Sequence, residues 1–229
     1  LLIKLTSGEL TFGSWTRGQT ALVTFVMLVV TDFCVYWVHR NHHEMPVLWP
    51  FHSVHHSAEV MTPITVFRKH PVYDVISSFV RAFLLGIVLG IITFCLTDTY
   101  NEIQIAGISI FYFAFNLLGS NFRHSHIWLG YGKYLSHILI SPAQHQIHHS
   151  VAVEHYNKNY GEVLAIWDWM FGTLYVPQGK EELRFGISDE QGNLIEQPHG
   201  SLTKALAAPF ADSWRAATAL LANRRRTPQ

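Results

Sequence analysis

The residues in this chain best suited to chemistry are its histidines. Fifteen occur among 229 residues, against sixteen lysines and arginines combined, and they are clustered. The phrase H-x-x-H-H-S is written twice, as HSVHHS at 52–57 and HQIHHS at 145–150, about ninety residues apart. Residues three and four apart share a helix face, so His52, His55 and His56 point one way together, as do His145, His148 and His149. His39 and His43 add a further i, i+4 pair. Imidazoles aimed in one direction are what a metal ion requires, and imidazole is its commonest side-chain ligand. A lone histidine in such a place would read as a satisfied or exposed polar group.

The number of histidines bears on the metal. A structural zinc takes four ligands and a catalytic zinc about three from the protein, so these clusters exceed one site and match two metals with four or five ligands each. Imidazole suits iron, zinc, copper and nickel alike; the higher coordination number favours a redox metal with an open position over tetrahedral zinc. Helix bundles that hold two irons through Glu-x-x-His pairs and bridging carboxylates are a different design. Glu44 follows His43 and Glu154 precedes His155, yet no Glu-x-x-His occurs in the clusters.

The elements that must position these histidines are apolar helices. Hydrophobic residues make up 49% of the chain and charged ones 14%, with no formal net charge, which leans toward a membrane protein and away from nucleic acid. Cys34 and Cys95 both fall in apolar runs, so neither a disulfide scaffold nor a thiolate metal site is indicated. Three stretches are span-like: Thr20 to Val38 with Asp32 in its second half, Val75 to Leu96 with Arg81 near its start, and the shorter Ile103 to Leu118. A spanning helix needs roughly 20 mostly apolar residues, a test that buried helices of a soluble protein also pass.

Residues 97–102 join the second and third stretches as a tight turn, so the end of the first, the start of the second and the end of the third face one side. Arg40, Arg68, Lys69, Arg123 and Lys133 lie on that side, whereas the turn TDTYNE has two acids and no base. The positive-inside rule makes that side cytoplasmic, with Lys4 and Arg17 across the membrane as weak counter-indications. Trp37, Trp49, Trp128, Tyr131 and Tyr134 flank the same ends, as interfacial aromatics or as ordinary core. Ser141, Pro142 and Gln144 read as N-cap, first helical residue and capping-box partner ahead of the second histidine phrase; Pro46 and Pro50 break the chain ahead of the first. Ser188 to Ser201 reads as a loop and Leu202 to Asn223 as a helix interrupted at Pro209, followed by Arg224, Arg225 and Arg226 as a solvated end or a lipid contact.

With these residues in view, the chain resembles the fatty acid hydroxylase and sterol desaturase superfamily of integral membrane di-iron oxygenases. The likeness is carried by DFCVYWVHRNHH at 32–43, HSVHHS at 52–57, NFRHSH at 121–126, SPAQHQIHHS at 141–150, NYG at 159–161 and WDWMFGTLYVP at 167–177. The resemblance implies metal ligands at His39, His43, His52, His55, His56, His124, His145, His148 and His149. His126 and His155 are further candidates, as ligands or as imidazoles outside the metal shell. Metal-bound imidazoles usually donate their other ring nitrogen to a carboxylate or carbonyl; Asp32, two helical turns before His39, is the first candidate partner, with Asn159 and Asp168 next. His42 faces about 100° away from His43 and is set aside, as are the isolated His70, His137 and His199.

The fold expected is all-α: a multi-pass membrane helical bundle with a cytoplasmic histidine-rich di-metal cap. Residues 1–19 form an N-terminal segment, 20–178 the catalytic domain and 179–229 a C-terminal extension. The resemblance implies two iron ions, O2 as co-substrate, and hydroxylation or desaturation of a fatty acyl chain, sterol or other lipid. No Gly-rich dinucleotide fingerprint or cofactor-binding cysteine pattern occurs, so electrons come from a reductase with a cytochrome b5-like or ferredoxin-like carrier. The rival readings are a histidine-rich metal transporter, which would place ionisable groups near the bilayer midplane, and a membrane zinc hydrolase, which lacks H-E-x-x-H here.

Overall fold

The computed structural model describes residues 15–92, 119–189 and 191–226. The third expected span, the turn before it and residues 1–14 lie outside the described residues. Those described are helical, with isolated β-bridges such as Leu139 to Leu164 and Ser150 to Phe185 in place of a sheet.

Helix α1 runs from Arg17 to Glu44. It starts at a capping box, in which the Gln19 amide donates to Thr16 Oγ1 at 3.2 Å and the Thr16 amide donates to Gln19 Oε1 at 2.9 Å. A short connection through Pro46 leads to α2, Trp49–His56, with Pro50 in its first turn. After a 3-10 turn, Pro63–Phe67, comes α3, Pro71–Ile92. Both α1 and α3 are long and apolar enough to cross a membrane. They pack together around Trp15, Val23 and Ile92, with Val26, Met27, Val88 and Leu89 closing the contact. The opposite face of α3 presents Phe79 at 71% and Val75 at 67% exposure, large apolar residues that none of the described residues covers.

The later elements are short: α4 at Gly132–Leu135, α5 at Pro142–His148, a 3-10 turn at Val153–His155 and α6 at Ile166–Met170. Helix α5 begins where its sequence says. The Gln144 amide donates to Ser141 Oγ at 3.3 Å and the Ser141 amide donates to Gln144 Oε1 at 3.0 Å. All seven of its residues are buried, and the polar Gln144 and Gln146 among them donate to loop carbonyls, Gln144 to Ser136 and Gln146 to Ser125 and Ile127.

Helix α7, Leu202–Arg226, corrects one expectation: it is continuous through Pro209. A proline inside a helix removes one backbone bond and loosens the adjacent turn. Here the Leu206 carbonyl in that turn accepts from His70 Nε2 at 3.1 Å, and Phe210 packs edge-on to Phe51 of α2 at 5.2 Å. These contacts hold the residues on either side of Pro209 against the rest of the protein. Two more ties bind this end of the chain under α2: His199 Nε2 to Ser53 Oγ at 3.1 Å, and Arg68 to the His199 carbonyl at 3.1 Å.

Because the cap of α5 sets the first turn of the helix that carries His145 and His148, Ser141→Ala should cost about 1 kcal/mol. Thermal unfolding of the detergent-solubilised protein measures this; an unchanged midpoint would show that the cap is not what holds the helix start.

Candidate metal centre

Nine buried or half-buried histidines form two adjoining groups. His39, His43, His52, His56 and His148 make one, and His55, His124, His145 and His149 the other, with one ring nitrogen from each member lying within 4.8 Å of those of its group. Helix α1 supplies His39 and His43 from successive turns of one face. The twin phrases divide between the groups. From α2, His52 and His56 join the first group and His55 the second; from α5 and its C-cap, His145 and His149 join the second and His148 the first. The groups touch where His56 stacks on His149, ring centroids 4.3 Å apart.

Backbone carbonyls fix several of these rings. The Nδ1–H of His39 donates to the Tyr160 carbonyl at 2.7 Å, that of His148 to Lys158 at 2.8 Å, that of His124 to Ser120 at 2.7 Å and that of His55 to Arg68 at 3.2 Å. A carbonyl only accepts, so the proton sits on Nδ1 and the Nε2 lone pair faces inward. Burial, reinforced by the neighbouring rings, holds His52, His55, His56, His145 and His149 well below the usual histidine range. Burial likewise lowers His148 to about 4 and His124 to about 3. The rings are therefore neutral at pH 7.

This geometry fits a metal. In the first group, Nε2 of all five histidines is buried without a hydrogen-bond partner, whereas buried polar atoms are ordinarily satisfied. In the second, Nε2 of His124 lies 3.1 Å from that of His55 and 2.9 Å from that of His145. With His55 and His124 both protonated on Nδ1, their two lone pairs face each other, an arrangement only a shared cation resolves. Two ligands about 2.1 Å from one ion, at right angles, stand about 3 Å apart.

The carboxylates expected beside the metal-facing rings act one step further out. Asp32 touches no imidazole among the described residues: its oxygens accept the Val163 and Leu164 amides, each at 3.0 Å, and Trp167 Nε1 at 2.9 Å. Asp168 accepts the Tyr160 and Gly161 amides, each at 2.8 Å, and the Thr173 hydroxyl at 2.6 Å. Asn159 donates to the Gln144 carbonyl at 3.0 Å and accepts the Tyr175 amide at 2.8 Å. Together they clamp the segment whose Tyr160 carbonyl orients His39. Asp32, two helical turns before His39 along α1, meets residues 163–167 instead of that ring. Gly161 admits no side chain, since a Cβ there would stand 2.5 Å from the Leu164 carbonyl oxygen.

Of the two further candidates, His126 is exposed and outside both groups. His155 is buried, paired at 3.0 Å with Glu181 and packed on Tyr175, also outside both groups. His42 is fully buried with its Nδ1–H on the Val38 carbonyl at 2.7 Å; its ring packs on Tyr73 and edge-on to His52, and it is a member of neither group. Sequence reading missed Tyr160, Lys158, Ser120 and Arg68 as holders of the rings. They act through backbone carbonyls, which every residue carries, so no residue type could have signalled them.

Two separate cavities open on the histidines. One, of about 450 Å³, lies between α1, α3 and residues 120–124 and is bordered by members of both groups, including His39, His52, His55 and His124. The other, of about 510 Å³, reaches His43, His56, His148 and His149 past Trp49, Glu44 and Asp189.

The family model described as fatty acid hydroxylase matches residues 24–173. Among curated proteins, the chain is 30% identical to an alkylglycerol monooxygenase of Xenopus tropicalis over 76% of this chain and 34% of the relative. It is 30% identical to the ornithine lipid hydroxylase OlsE of Rhizobium tropici, over 82% of this chain and 50% of the relative. A putative Delta(7)-sterol-C5(6)-desaturase 2 of Arabidopsis thaliana is 26% identical over 73% and 57%. The chain thus spans between 34% and 57% of the length of these relatives. No solved structure matches it.

Asp32→Ala leaves three donors facing a gap, at about 1 kcal/mol or more each, so it should lower stability by about 3 kcal/mol in chemical unfolding; Asp32→Asn, which keeps one acceptor, should cost less. If the two variants matched wild type, Asp32 would not be a brace. Elemental analysis checks the groups directly. His56→Ala and His149→Ala should each lose metal, while His126→Ala should keep the wild-type content; the reverse pattern would refute the grouping.

Proposed function

The chain belongs to the fatty acid hydroxylase family, and from that premise we propose that it is a membrane-bound di-iron oxygenase acting on a C–H bond of a lipid. The observation that carries this reading is the convergence of five unpartnered Nε2 atoms beside a second group of four histidines. His39, His43, His52, His56 and His148 would hold one iron, and His55, His124, His145 and His149 the other. Such a pair of irons supplies the reduction of O2 and the oxidising power that an unactivated C–H bond demands. Hydroxylation balances as R–H + O2 + 2 e⁻ + 2 H⁺ → R–OH + H2O; desaturation uses the same electrons and protons, removes a second hydrogen and releases two waters. The electrons come from an external one-electron carrier with its reductase.

The chain's own residues orient and enclose. The carbonyls of Tyr160, Lys158, Ser120 and Arg68 keep the rings aimed, and the 450 Å³ cavity between α1 and α3 admits the substrate from the bilayer. A lipid substrate is supported by what the relatives' names describe: an alkylglycerol monooxygenase, an ornithine lipid hydroxylase and a sterol desaturase. The arrangement we infer is multi-pass, with the histidines on the cytoplasmic side beside Arg40, Arg68 and Lys69. The outward face of α3 supports lipid contact. So does the stripe Leu202, Leu206, Phe210 and Trp214 along α7, exposed at every fourth residue.

Comparative lipid mass spectrometry of expressing and deletion strains under ¹⁸O2 tests this. A lipid gaining one labelled oxygen is expected for hydroxylation, or one losing two hydrogens for desaturation. Tightly held zinc with no oxygen uptake would instead mark a transporter or hydrolase.

A further inference from the structure

For a site fed from a hydrocarbon phase, the cavity between α1 and α3 is heavily charged. Lys69, Arg81, Arg123, Asp74 and Glu162 all border it. Two of the cations are matched: Arg123 pairs with Glu162 at 3.2 Å, and Lys69 stands 4.0 Å from Asp74. Arg81 is not. It lies within the apolar run of α3, and its guanidinium donates only to the Ser77 carbonyl at 3.3 Å and Ser78 Oγ at 3.5 Å, with no carboxylate in ion-pair range among the described residues. A charge inside a spanning helix is costly and ordinarily serves a site.

A second guanidinium borders the same space. Arg123 is 6% exposed, yet its Nε–H has no hydrogen-bond partner. Guanidinium donors prefer oxyanions, which they grip with two parallel bonds. The other cavity is of opposite character: Glu44 and Asp189 border it, and no lysine or arginine does. An anion therefore has one favourable entrance.

We infer that the substrate is an amphiphile whose polar end carries a phosphate or carboxylate, held by Arg81 and Arg123, and that the carbon oxidised lies near that end. The second half follows from placement. The same cavity of about 450 Å³ is bordered by both cations and by histidines of both groups, so a polar end held by the cations sets the first carbons of its tail beside the histidines. The tail extends outward between the spans into the bilayer. This regiochemistry rests on the oxygenase reading, because it takes the histidines as the oxidising centre; the anion subsite does not.

The test uses the full chain in detergent and two radiolabelled probes, a single-chain acylglycerol phosphate and the matching acylglycerol without phosphate. Equilibrium binding should favour the phosphate by about tenfold. Arg81→Gln should erase that preference while elemental analysis shows unchanged metal, and Arg81→Lys, which keeps the charge without the fork, should retain part of it. Inorganic phosphate should compete only weakly, since it lacks the tail; competition as strong as that of the lipid would overturn the assignment to a headgroup. Equal affinity for the two lipids, or a preference untouched in Arg81→Gln, would overturn the subsite even if the iron-loaded protein oxidised lipids. Selective binding with no O2-dependent product would leave the subsite standing and sink the oxygenase reading. Tandem mass spectrometry of any product locates the oxygen; a position in the middle of the chain would refute oxidation near the polar end.

Discussion

The structure turns on five imidazole nitrogens that are buried with nothing to bond. An unsatisfied buried polar atom costs about 1–3 kcal/mol, so collecting five in one place is a steep local cost that folding alone does not repay. Burial also keeps the rings neutral, which preserves the lone pairs that an ion needs. The remaining architecture can be understood as what it takes to hold such an assembly in place: two long helices for rigidity, two short helices for aim, and carbonyls that set the tautomer of four of the rings.

The division of the twin phrase explains its form. In H-x-x-H-H the first and third histidines are four apart and share a helix face, while the middle one lies about 100° from the third. One short helix can therefore offer two ligands to one group and one to its neighbour. Two such helices facing each other give three ligands to each group with the roles exchanged: His52 and His56 with His148, His145 and His149 with His55. A single copy could not serve both groups evenly. The pair on α1 and the lone His124 then raise these threes to five and four, which is where the symmetry ends.

Much of this was legible in the sequence because it was written in residue types at helical spacing. The apolar lengths of α1 and α3, the cap at Ser141 and the clustering of the nine histidines all depend on local pattern, which survives into the fold. What was not legible depends on distant partners. Pro209 reads as a break when only its own helix is considered, whereas the helix runs on through it and His70 and Phe51, far away in sequence, pack on the residues beside it. Asp32 reads as a partner for His39 from helical phase alone, but three donors from residues 163–167 reach it first. Phase tells which face a residue occupies and not what stands opposite that face.

That displacement of carboxylates has an electrostatic consequence. The nine imidazoles are neutral and the groups that orient four of them are carbonyls, while Asp32 and Asp168 are occupied by backbone amides. A centre assembled this way contributes no negative charge of its own, so divalent ions bound in it would leave the adjoining cavity strongly positive at short range and in a medium of low dielectric. Arg123 is matched by Glu162, whereas Arg81, with no carboxylate in ion-pair range among the described residues, adds to that potential rather than relieving it. The natural counterweight is an anion arriving with the substrate, and its arrival would draw the polar end of a lipid, not its apolar middle, toward the histidines.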